Sequence, residues 1–101
     1  MEKEEITIRK ARITDSNCIK KLVNSYAEES VMLPISINQI YEKLRNFSVI
    51  EKNGQVIGCG ALKIVWKDLG EIRSVAIARS QKNKGYGRVL INELLAEAKS
   101  L

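Results

Sequence analysis

At 101 residues, with 45% hydrophobic and 29% charged positions and a formal net charge of +5, the chain can build one modest hydrophobic core and lacks the bias of a disordered segment. No apolar run reaches the ~18 residues that would span a bilayer, the opening Met1-Glu2-Lys3-Glu4-Glu5 is unlike a signal peptide, and the absence of histidine excludes a Cys–His pair and leaves no ordinary zinc site. One soluble, cytoplasmic domain over residues 1–101 is expected, with no metal and with Cys18 and Cys59 as buried free thiols instead of a disulfide.

Ile6, Ile8 and Ala11-Arg12-Ile13 read as a first strand. Thr14 or Asp15 can then cap a helix whose apolar face is Ile19, Leu22, Val23, Tyr26 and Ala27. Ser36 with Gln39 forms a capping box and opens a second helix that turns Ile37, Ile40, Tyr41 and Leu44 inward. Strands over Phe47–Glu51 and Gln55–Val65 flank Asn53-Gly54, a hairpin signal because both residues accept positive φ. A turn over Lys67–Gly70 delivers a fourth strand with Glu71, Ile72, Val75 and Ile77. Beyond it, Ile91, Leu94, Leu95 and Ala98 recur at the spacing of one helical face. The order βααβββα, hairpins followed by a strand-to-helix crossover, predicts an α/β fold with a mixed sheet flanked by helices.

Between the fourth strand and the last helix lies Lys82-Asn83-Lys84-Gly85-Tyr86-Gly87. A helix N-terminus carries unpaired amides and about half a positive charge, and glycines let the backbone approach a ligand closely. Arg79, Lys82, Lys84 and Arg88 add four cations, so the natural guest is an oligophosphate. Neither the Walker loop nor the Rossmann turn can be written onto residues 82–88.

The segment does resemble the acetyl-coenzyme A signature of the GNAT acetyltransferase superfamily, [QR]-x-x-G-x-[GA], with Lys82 standing where the family prefers Arg or Gln. Val56-Ile57-Gly58-Cys59-Gly60-Ala61-Leu62 and Trp66-Lys67-Asp68-Leu69-Gly70-Glu71-Ile72-Arg73 are similar to the branch that holds the stand-alone N-acetylglutamate synthases of arginine biosynthesis, as is Met32-Leu33-Pro34 upstream. The resemblance covers essentially the whole chain, and implies a GNAT domain truncated after its coenzyme-binding helix. It further implies acetyl transfer from acetyl-coenzyme A to the α-amino group of an amino acid, L-glutamate first among them.

From the resemblance, Val75, Ala76 and Ile77 hold the pantetheine arm, and Lys82, Asn83, Lys84, Gly85, Tyr86, Gly87 and Arg88 cradle the pyrophosphate. The amide near Val75 is the oxyanion donor, and Glu71 takes the amine proton directly or through water. The competing reading of Glu71 is a solvated strand-end carboxylate. Arg73, two residues on, shares a strand face with Glu71 and offers a guanidinium fork to a substrate carboxylate; its alternative is an ion pair with Glu71. Trp66 reads as a core or interface aromatic, and none of Tyr26, Tyr41 and Tyr86 is placed as the general acid.

Two other functions compete with this reading. A nucleic-acid surface would suit the net charge, yet aromatics make up only 5% of the chain and the cations gather at one loop, so no nucleic-acid or membrane partner is expected. A non-catalytic coenzyme A-binding or interaction module would arise if half of the cleft lay outside the chain. An unpaired fourth strand would be an exposed edge, favouring association with a second copy, a homodimer, or with a complementary fragment.

Overall fold

Asn53 and Gly54 carry φ of 51° and 82°, the left-handed pair that a two-residue type I′ turn needs, and the hairpin they close forms the middle of the sheet. The structure is a computed structural model that describes residues 6–27, 35–66 and 69–100, apart from the side chains of 27, 65, 66 and 69. Met32-Leu33-Pro34, residues 67–68 and the Ala27 and Trp66 side chains therefore lie outside the described residues.

Strands β1 (Ile6–Lys10), β2 (Phe47–Lys52), β3 (Gln55–Trp66) and β4 (Leu69–Ile77) lie side by side in that order, each antiparallel to its neighbour. The sheet expected to be mixed is thus antiparallel throughout among the described residues, since a parallel pairing needs a strand arriving after a crossover helix. β4 forms one edge.

Helices α1 (Ser16–Ala27) and α2 (Ile37–Glu42) cover one face, and α3 (Tyr86–Ser100) covers the other. Pleat alternation, shifted by one residue at Ile57 where the β2–β3 register slips, sorts the core accordingly. Phe47, Val49, Cys59, Ala61 and Ala76 pack with Ile19, Val23 and Ile40, while Ile50, Ile57 and Leu62 pack with Leu90 and Leu94. Each fully buried aliphatic side chain contributes about 1.5–3 kcal/mol. Gly60 lets α3 lie close to β3: a Cβ there would fall 3.1 Å from Leu94 Cδ1, 3.2 Å from Leu90 Cδ2 and 3.3 Å from Val75 Cγ2.

The capping box forms as expected. Ser36 Oγ accepts from Gln39 N at 3.2 Å and Gln39 Oε1 accepts from Ser36 N at 2.8 Å. Other expectations need correction. The first strand ends at Lys10, because the Asp15 carboxylate accepts the Arg12 N–H at 2.7 Å and folds Ile13–Asp15 into a 3-10 turn. Asp15 therefore reaches back to Arg12 instead of forward into α1, and Ile13 is left exposed. In the short α2 only one row faces inward, so Ile40 is buried and Tyr41 is exposed. Cys18 is also exposed, one position away from the buried Ile19, whereas Cys59 is fully buried as expected. On α3 the inner row is Leu90 and Leu94 with Ala98, and Ile91 and Leu95 are exposed.

Arg9 fastens β1 to this turn. Its guanidinium grips Asp15 with two bonds, 2.7 and 3.1 Å, and reaches Glu51 on β2 at 3.3 Å. The Arg9 hydrogen bond is the main cause holding the Asp15 carboxyl below its ordinary 3.8. A carboxylate depressed in the folded state stabilises the fold above its unfolded pKa and loses that contribution as pH falls through the folded value. Acid unfolding should accordingly steepen below pH 3.8. Asp15→Asn should lower stability at neutral pH by about 1.5–3 kcal/mol and remove that part of the acid dependence, as urea titrations at pH 7 and pH 3 would show.

Candidate active site

At the bulged edge of β4, Cys59 pairs with Ala76 but Ala61 pairs with Arg73, so Ser74 and Val75 together oppose Gly60 alone. Ser74 takes φ of 55°, a left-handed conformation uncommon for a residue other than glycine, and its carbonyl accepts the Cys59 thiol at 3.6 Å. A bulge of this kind leaves one residue's backbone outside the ladder. Past the bulge, Ala78 N–H bonds Ile57 O at 2.7 Å. Bonded and non-bonded pairs alternate in an antiparallel ladder, so Ala76 bonds inward to Cys59 while Ile77 points its N–H and C=O off the free edge.

The next segment turns the chain towards α3. Arg79–Gln81 is a 3-10 turn, Asn83 and Gly85 take φ of 63° and 84°, and the first backbone bond of α3 runs from Val89 N to Gly85 O at 3.2 Å. Amides in a helix's first turn have no carbonyl within the helix to bond, and they face outward with the positive end of the dipole.

Together these elements enclose a cleft of about 300 Å³ lined by Tyr26, Val75, Ile77, Gln81, Lys82, Asn83, Gly85, Tyr86 and Gly87. Seven of the residues singled out from the sequence meet here. Ala76 does not: it is 2% exposed, packed under α1, and its backbone serves the β3 ladder. Lys84 and Arg88 are exposed beside the cleft without lining it. Tyr26 and Gln81 join the wall without any local signal that would place them there. The Tyr26 hydroxyl donates to the outward Ile77 carbonyl at 2.6 Å, and Gln81 Oε1 accepts from Lys52 at 2.9 Å and from Lys84 at 3.4 Å.

The two glycines differ in what they need. A Cβ added at Gly85 would meet nothing within 4 Å, so its glycine is a requirement of positive φ. Gly87 has no such φ, and a Cβ there would meet only Ile77 Cγ1 at 3.9 Å. Neither strain nor packing calls for a glycine at 87, so what the position offers the cleft is a side chain no larger than a methyl group, which leaves room for a ligand beside it. Gly87→Ala should therefore leave the fold unchanged or stabilise α3 by roughly 0.5–1 kcal/mol and spare ligand binding, whereas Gly87→Val should obstruct it. Thermal unfolding and calorimetric titration with coenzyme A would separate the two effects.

A second, smaller cavity of about 90 Å³ lies on the other side of the bulge. It is lined by Ile35, Lys43, Asn46, Phe47, Ala61, Lys63, Arg73 and Ser74. Glu71 and Arg73 form an ion pair at 2.7 Å, with side chains 42% and 51% exposed. The Arg73 hydrogen bond, joined by the charge of Lys63, which faces Glu71 across the sheet, holds the Glu71 carboxyl below its ordinary value. Lys63 could not have been placed there from sequence, because unbroken pairing back from Trp66 and Leu69 sets Ile64 opposite Glu71, and it is the irregularity between Ile64 and Trp66 that brings Lys63 there. Nor could Lys43, since nothing local places the end of α2 beside β4.

Residues 17–101 match the acetyltransferase (GNAT) family. The amino-acid acetyltransferase of Mycobacterium tuberculosis is 39% identical over 97 residues, covering 93% of this chain and 55% of that protein. The crystal structure of Rv2747 from the same organism, in complex with CoA, superposes with a TM-score of 0.88 at 38% identity, over 93% of this chain and 58% of that one. N-acetylglutamate synthase from Neisseria gonorrhoeae, complexed with coenzyme A and N-acetyl-glutamate, gives a TM-score of 0.90 at 28% identity over 98% of this chain and 24% of that one. The chain thus spans little more than half the length of the shorter relatives. The family match over most of the chain, together with a fold shared with these proteins and the bulged strand leading into a glycine-bearing helix start, shows that the chain belongs to the GNAT acetyltransferase family.

Proposed function

We propose that this chain binds acetyl-coenzyme A in the larger cleft and transfers its acetyl group to the α-amino group of an amino acid, with L-glutamate as the acceptor. The observation that carries the reading is the β4 bulge. Ser74 lines one cavity and Val75, the next residue, lines the other, so two ligands seated there would meet across one peptide. Placement of this kind supplies a large part of the rate of a two-substrate reaction.

Main-chain amides of residues 85–88 and the cations around them bind the pyrophosphate, and the outward edge at Val75 and Ile77 receives the pantetheine arm. The Val75 amide donates to the thioester oxygen, where negative charge grows as the amine attacks. Arg73, Lys63 and Lys43 give the smaller cavity a cationic wall suited to a dicarboxylate. Glu71 accepts the proton leaving the amine. Its partnership with Arg73 makes it a weak base until a substrate carboxylate draws the guanidinium away. Direct attack is favoured over an acetyl-enzyme: burial pushes the Cys59 thiol up to about 12, so it stays protonated, and Cys18 lines neither cavity.

Release of free thiol from acetyl-coenzyme A, measured against a panel of free amino acids, tests the reading. Glutamate should give the highest turnover relative to KM, with aspartate and glutamine below it. Equal rates without any amino acid, or no calorimetric binding of coenzyme A, would refute it.

A further inference from the structure

Tyr26 stands in the last turn of α1, in the row of residues that faces the sheet, where it packs half-buried against the core on that face and also meets the loop before α3. The ring lies beneath two cations of the phosphate-facing loop: the Arg79 guanidinium is 4.6 Å from the ring centroid and Lys82 Nζ is 5.6 Å away. The hydroxyl donates to Ile77 O at 2.6 Å and so fixes the ring against the β4 edge. Arg79 also donates to Ser25 O at 3.1 Å, at the C-terminal end of α1, where the helix dipole favours a cation. One aromatic side chain thus joins α1, β4 and the loop on the wall of the larger cleft.

We propose that Tyr26 is a positioning residue for the anion site, its ring arraying Arg79 and Lys82 in place before a phosphate arrives. The inference rests on the reading of that cleft as the coenzyme site. Exposed arginine and lysine side chains sample many rotamers, and ordering each one costs binding free energy. A ring face attracts a cation through its quadrupole, and two cations held on one ring enter the complex with that cost already met. The ring's hold on the two cations adds nothing to binding of the phosphate-free part of the ligand, whereas the hydroxyl, bonded to Ile77 O, acts on the edge that receives that part. The ring should therefore discriminate between ligands that carry phosphates and those that do not.

The test is calorimetric titration of the chain with coenzyme A, inorganic pyrophosphate and pantetheine. Tyr26→Phe keeps the ring and lacks the hydroxyl bond to Ile77 O, so it is the reference: relative to it, Tyr26→Leu should weaken coenzyme A and pyrophosphate binding about tenfold and change pantetheine binding less than twofold. Because the Leu variant could lose its fold, phenylalanine at position 26 should also be progressively fluorinated. Fluorination keeps the shape and drains the ring face, so coenzyme A affinity should fall stepwise. Unchanged affinity in the folded Leu variant relative to Tyr26→Phe, an equal loss for pantetheine, or a flat fluorination series would overturn the proposal while leaving the coenzyme site intact. A wild-type chain that binds neither coenzyme A nor pyrophosphate would overturn it together with the reading on which it rests.

Discussion

Replacing Gly85 with valine is expected to weaken coenzyme A binding by more than tenfold, about 1.4 kcal/mol, with little change in thermal unfolding. The residue holds φ of 84° at the entrance to α3, and a β-branched side chain is a severe outlier there. The space around position 85 is open, so the cost is backbone strain and not a collision. The loop would relieve it by rotating, and the amides of the first helical turn would lose their common aim. Gly85→Asn should retain most of the affinity, since asparagine tolerates the left-handed region. Isothermal titration of both variants decides the matter: equal affinities for Val and wild type would remove residues 82–88 from the coenzyme site.

Arg73→Gln is expected to raise the KM for glutamate by roughly tenfold to a hundredfold, the value of a charged hydrogen bond of about 1.5–3 kcal/mol, while coenzyme A affinity stays nearly constant. The structure sharpens this expectation. Arg73 and Glu71 are both well exposed, and exposed pairs add little stability, so a change in KM cannot be attributed to unfolding. Arg73→Lys should recover only part of the loss, because an ammonium lacks the paired donors of the guanidinium. The Gln variant should also return Glu71 towards its ordinary carboxyl pKa, since the largest cause of its depression has gone. The acid limb of the pH–rate profile should then move to higher pH. A Gln variant that keeps its glutamate KM and loses only stability would reduce Arg73 to a structural partner of Glu71.

What is legible in the sequence is whatever depends on neighbours along the chain. Asn53-Gly54 and the Ser36–Gln39 box are local geometry, and both form as their residues dictate. Glu71 and Arg73 meet because a strand has period two. The bulge at Ser74 has no local signature: serine carries no preference for positive φ strong enough to mark it, and the conformation is imposed by pairing with β3 on either side. On α3 the rows Leu90–Leu94–Ala98 and Ile91–Leu95 are both apolar, and periodicity alone does not choose between adjacent rows. Only the closeness of α3 to Gly60 does. Spacing puts Tyr26 on the sheet-facing side of α1, and there it lies. Spacing, however, describes a helix and not what its last turn meets, and the meeting with Ile77 and Arg79 joins parts of the chain far apart in sequence.

The missing side chain at Gly60 acts as a gauge for the whole site. Leu90 and Leu94 of α3 and Val75 of β4 converge on that one vacant Cβ position. A methyl group there would press on all three side-chain ends, which would have to give by a few tenths of an ångström. Two of them belong to the helix and one to the strand that flank the larger cleft, so the spacing of those walls is set from within the core, without any change in a residue that faces the cleft. On the proposed reading that spacing is also the separation between the phosphates and the reacting carbonyl, set at a position that lines neither cavity.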